Sequence, residues 1–143
     1  MNLFEDAKQT ELPEAQVKWN KLWDMYGFGQ LATTDYKSFV LCDYESGVNG
    51  EGHSGWFFNT ENAEGKETIC KYLSALEQVL PAHLYDNLYK AFQSYGTEKE
   101  EILCEQADQY FYEHEQEVIE YLQNVANKLE FETSNCVGSY TAS

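Results

Sequence analysis

Two stretches of this chain carry residue types that could do chemistry. The first is Val48-Asn49-Gly50-Glu51-Gly52-His53-Ser54-Gly55-Trp56-Phe57-Phe58-Asn59. Its Gly50-x-Gly52-x-x-Gly55 spacing matches the dinucleotide-binding fingerprint, in which glycines let backbone amides approach a pyrophosphate. That chemistry needs a strand before the glycines and an apolar helix after them. Here aromatics follow at once, Glu51 adds negative charge, and no βαβ rhythm surrounds the motif. The spacing therefore predicts a tight structural turn docked by an aromatic plug, because Gly accepts unusual backbone angles and Trp56, Phe57 and Phe58 need burial. His53 and Ser54 supply a base and a nucleophile, but adjacent side chains do not form a triad. Trp56 also stands where a nucleophile elbow needs its last glycine.

The second stretch runs from Glu98 to Glu120. It holds nine acids and Lys99, a net of −8. On a helical wheel Glu98, Glu101, Glu105, Asp108, Glu115 and Glu120 lie opposite the apolar positions. Carboxylates at steps of three and four stand about 4.5–6 Å apart along a helix axis. Such a ladder repels itself, and it offers a basic protein an imitation of a phosphate backbone. The same pattern also suits a plain solvated face. These six acids are the candidate partner-binding residues.

Other reactive residues form no constellation. His114-Glu115-Gln116-Glu117 starts like a zinc helix but lacks the second His, and His83 stands alone. Cys42, Cys70, Cys104 and Cys136 have no paired spacing and read as buried free thiols. With 25 acids, carboxylate pairs are inevitable and identify no general acid or base. No catalytic residue, metal or cofactor is expected, and His114 is expected on the apolar face of its helix.

The composition narrows the partners. The 143 residues carry a net charge of −16, and the nine basic residues are all Lys. Without Arg the usual bidentate phosphate ligand is missing, and the charge repels nucleic acid and anionic membranes. A basic protein surface is the expected partner, with a homodimer also open. Aromatic content of 15% supplies burial for a single folded domain. No apolar run reaches membrane-span length, and Met1 to Thr10 lacks the features of a signal peptide, so a cytoplasmic protein is expected.

The elements that must position these residues are helical. A polar segment 1–12 leads to Pro13 and a helix to Tyr26, which Gly27 and Gly29 end. Thr33, Thr34 and Asp35 offer caps for the next. Residues 35–46 suit strand or helix; with no second strand to pair with, helix is expected. Thr60 to Gly65 reads as a loop. Residues 67–80 and 82–95 form a helical hairpin around Pro81. Thr97 and Glu100 make a capping box for a long helix over about 98–130, with Leu103, Ala107, Tyr110, Phe111, His114, Val118, Leu122, Val125 and Leu129 on its apolar face. The predicted fold is all-α, a single domain of five or six helices over 13–132, with a flexible tail at 133–143.

The glycine-aromatic stretch resembles the hallmark of the bacterial DNA-mimic protein family, an Asn-Asn-Gly-Gly-aromatic run ending in several aromatics and an Asn. Asn49, Gly52, Trp56, Phe57, Phe58 and Asn59 match it. Gly50 stands for the second Asn, Glu51 for a Gly, His53 for an aromatic and Gly55 for a Gln. The hairpin and Asp108-Gln109-Tyr110-Phe111-Tyr112 also look like the family, over about residues 16–130. The resemblance implies an all-α fold. It also implies a non-enzymatic role in which an acidic surface occupies the DNA-binding face of a transcription regulator. Two alternatives remain: an immunity-type inhibitor of a basic toxin nuclease, and a small-molecule binder or enzyme using Asn49, His53 and Asn59.

Overall fold

The computed structural model describes the backbone of residues 13–142 and the side chains of residues 13–128. The segment 1–12, expected to be flexible, lies outside them. Among the described residues six helices follow one another: α1 (Glu14–Gly27), α2 (Gln30–Thr34), α3 (Tyr36–Glu64), α4 (Lys66–Glu77), α5 (Ala82–Ser94) and α6 (Glu100–Ala142). No strand occurs among the described residues, so the ambiguous stretch 35–46 is helical, as expected.

Local signals explain most boundaries. Pro13 precedes α1, and Gly29, at φ +82°, separates it from the short α2 that the sequence did not suggest. Asp35 caps α3, accepting from the Ser38 backbone N–H at 3.3 Å and the Ser38 hydroxyl at 2.7 Å. Gly65, at φ +94°, divides α3 from α4, and Pro81 opens α5.

The structure corrects several expectations. The glycine-aromatic stretch is not a tight turn. It lies within α3, whose backbone is broken only at Gly52 (φ +76°, ψ 173°), so two helical halves meet there at a kink. The segment 60–64, expected as loop, belongs to the second half. The long helix starts at Glu100, which leaves Glu98 in the turn before it. Its backbone stays helical through 133–142, the segment read as a tail.

Helix α3 is central. It packs on α6 and α4 most extensively, and on α2, α5 and α1. Val40, Leu41, Tyr44, Val48 and Phe57 of α3 are fully buried against Leu73 and Leu76 of α4, Leu84 and Leu88 of α5 and Phe111 of α6. Each fully buried Leu or Phe contributes about 1.5–3 kcal/mol. The buried line on α6 runs Cys104, Ala107, Phe111, Val118, Leu122, Ala126. Leu103, expected inside, is 36% exposed, because Cys104 takes the inward register.

Candidate functional site

The break at Gly52 leaves loose ends on both sides. The half of α3 before it ends in carbonyls without helical partners, and the half after it begins with free N–H groups. Helix α6 supplies the missing partners. The Asp108 carboxylate accepts from the His53 backbone N–H at 2.8 Å, as an N-cap side chain does, but from a distant helix. The Tyr112 hydroxyl donates to the Val48 carbonyl at 3.2 Å. The Asn49 amide donates to Glu115 at 2.5 Å. A Cβ at Gly52 would lie 2.6 Å from the Asp108 Oδ2, and its positive φ disfavours any other residue.

A second layer of bonds lies behind the cap. His53 is fully buried, with Nδ1 2.6 Å from the Asp108 Oδ1 and Nε2 2.7 Å from the Tyr44 hydroxyl. The bonding pattern assigns the proton to Nδ1, which donates to the carboxylate, while Nε2 accepts from Tyr44. Tyr44 is fully buried, and burial followed by the Asp108 charge pushes its hydroxyl well above the usual tyrosine range. The Asp–His–Tyr order looks like a proton relay. Yet Tyr44 and His53 have no exposed surface for a substrate to meet, so the arrangement works as a staple between α3 and α6.

Glu45 lies beside this staple. Burial, then the neighbouring Glu115 carboxylate, pushes its carboxyl up to about 8, against a partly offsetting bond from Asn49. The Glu45 carboxyl therefore holds its proton more tightly than a carboxyl in water does.

The six acids expected to bind a partner divide into two groups. Asp108 and Glu115 are half-buried and bond to α3 at the junction. Glu98, Glu101, Glu105 and Glu120 are exposed. The wheel failed at 108 and 115 because it treats every polar residue as outward-facing, whereas the kink presents polar groups inward. Around the start of α6, Glu98, Glu100, Glu101 and Glu105 line a shallow groove of about 520 Å³ with Ser54. The capping box is rearranged. Glu100 accepts from the Gly96 N–H at 2.9 Å and from the Ser54 hydroxyl, while Thr97 accepts from the Lys99 N–H at 3.2 Å.

The motif residues also separate. Trp56 and Phe57 are buried, but Phe58 is 56% exposed, because three consecutive helical residues point in directions about 100° apart. Gly47 lies so close to the Trp56 ring that a Cβ there would overlap it. Asn59 donates to Glu51, whereas Asn49 donates to Glu115 of α6. Thus Asn49, His53 and Asn59 do not converge on one pocket. Asn59 instead lines a cavity of about 410 Å³ walled by Tyr26, Phe39, Trp56 and Tyr72. Asp43 lies in that wall and accepts from the Tyr26 hydroxyl at 2.5 Å and from Trp56 Nε1 at 2.9 Å.

Sequence reasoning missed Asp43, Tyr44 and Glu45. The only signal was acids inside an apolar run, which a helix in the core must pair. It also missed that His83, His114 and Glu117 come together, since they lie on two helices. Cys42 and Cys104 are buried free thiols as expected, and burial, then neighbouring carboxylates, pushes Cys42 up to about 12. Cys70 is exposed, on the outer face of α4, and the Cys136 side chain lies outside the described residues. No helix among the described residues is long and apolar enough to cross a membrane. Comparison with protein-family models, with curated proteins and with solved structures finds no match to this chain.

Proposed function

We propose that this chain is a non-enzymatic binding module whose acidic face at the start of α6 engages a basic surface on another protein. The observation that carries this reading is uncompensated charge. Glu98, Glu101 and Glu105 are exposed, and the single Lys–carboxylate ion pair among the described residues is Lys18–Glu14, on α1. Beside the acids, Ile102 is 63% exposed and Leu103 36%. An apolar centre with a charged rim is the anatomy of a protein interface. The resemblance of the Asn49–Asn59 motif to the DNA-mimic family adds the class of partner, a DNA-binding regulator whose basic face the carboxylates occupy.

The test is capture from a lysate at low and high salt, with the wild type and an E98K/E101K/E105K variant as baits. The reading expects a basic DNA-binding protein, retained at low salt, released at high salt, displaced by duplex DNA and absent from the variant. Capture of no basic partner, or capture insensitive to salt, would overturn it.

A further inference from the structure

A second cluster lies away from the Gly52 junction, where α5 meets the middle of α6. His83 comes from the first turn of α5, and His114 and Glu117 come from successive turns of α6. One ligand atom from each of the three lies within 4.8 Å of the other two. We propose that His83, His114 and Glu117 bind a divalent first-row transition metal, with Zn²⁺ the expected ion.

Three observations support this assignment. First, the donor set is two imidazoles and a carboxylate, which suits zinc, with solvent completing a four-coordinate shell. The His83 and Glu117 side chains are 39% and 42% exposed, so water reaches the open position. Second, the rings are already oriented. The His114 Nδ1 lies 2.9 Å from the Tyr110 carbonyl, which can only accept, so Nδ1 carries the proton and Nε2 is the free ligand atom. The His83 Nδ1 lies 2.7 Å from the Tyr110 hydroxyl. One residue thus positions both histidines, in the way that hydrogen-bond partners orient the ligands of zinc sites. Third, the His83 Nε2 and the Glu117 Oε1 are 2.9 Å apart. That is the separation of a hydrogen bond and close to that of two ligands sharing a metal.

Without metal, the His83 Nε2–H donates to Glu117 and Nδ1 accepts from the Tyr110 hydroxyl. With metal, the proton moves from Nε2 to Nδ1 and the hydroxyl turns to accept it. A tyrosine hydroxyl serves both states because it donates and accepts. The surrounding charge of −16 raises the local concentration of any cation, but among the described residues this cluster brings two imidazoles together with a carboxylate.

Calorimetric titration of the full chain with zinc chloride tests the proposal, with magnesium chloride as the carboxylate-only control. One saturable zinc site is expected, with no matching magnesium site. H83A and H114A should each weaken zinc binding at least about tenfold, and Y110F about tenfold through ring orientation. Far-UV circular dichroism checks helicity, and E117Q, at an exposed position, carries the test should an alanine variant lose it. Zinc binding unchanged in H83A, H114A and E117Q would place the ion elsewhere, on thiols or scattered acids, and overturn the proposal. So would equal binding of magnesium, or no zinc binding at all.

Discussion

Helix α6 uses the same residue type in two opposite ways. On the side that faces α3, Asp108 and Glu115 are held by hydrogen bonds, and each completes a backbone or side-chain donor at the Gly52 break. On the outer side, Glu98, Glu101 and Glu105 are exposed and unpaired with Lys. Both sets belong to one acidic run, between residues 98 and 115. The difference is environment. A carboxylate beside free N–H groups in a partly buried site is a structural part, whereas one in water costs little and does little for the fold.

That contrast can be broken from the inner side first. H53A should be the most damaging change, because it leaves a cavity, an unpartnered Tyr44 hydroxyl and half of the Asp108 bonds unmade. A loss of about 3–4 kcal/mol is expected in urea unfolding. An H53A protein as stable as the wild type would mean that the staple does not hold α3 to α6. G52A comes next, at about 2–3 kcal/mol, since alanine must adopt φ +76° and push Asp108 aside. Thermal melts of G52A and of a G50A control, where a Cβ meets nothing within 4 Å, separate this from general glycine loss.

Glu45 gives a pH signature. The Glu45 carboxyl is raised in the fold from its ordinary value of 4.5 to about 8. The folded state therefore binds the proton more tightly than the unfolded chain. The contribution to stability is fully present below about 4.5, declines as the pH rises, and is lost above about 8. Chemical denaturation across that range should reveal this slope, and E45Q should flatten it; a slope retained in E45Q assigns it to another group. The outer side is expected to respond least. Replacing Glu98, Glu101 and Glu105 together by Gln should change stability by no more than about 0.5 kcal/mol, with slight gain where like charges are relieved. The same variant should lose partner capture. A large stability loss would instead place these three acids with the structural set.

The contrast also marks what the sequence made legible. Helix periodicity, Pro13, Pro81 and the glycines located the elements, because local propensity and burial agree there. The outward position of Glu101 and Glu105 followed from the same periodicity. The kink did not, since a break inside a helix depends on a partner 55 residues away that supplies the cap. For the same reason the bonds of Asp108 and Glu115 to α3 were not legible. Pairings such as His53 with Asp108, or His83 with His114, exist only once two helices have docked, and no one-dimensional spacing encodes them.

The cap that Asp108 gives to the second half of α3 also bears on how the chain comes to be folded. A ribosome delivers the first half, the break and the hairpin α4–α5 before Asp108 is made. Until then the helix beginning at His53 has no cap, and the Tyr44 hydroxyl has only an unanchored ring as partner. Closing that gap spans more than fifty residues, a costly long-range step in a protein otherwise rich in local helical contacts. Completion of the core is thereby tied to the arrival of α6, so a nascent chain that stops short of it should stay an unfinished bundle.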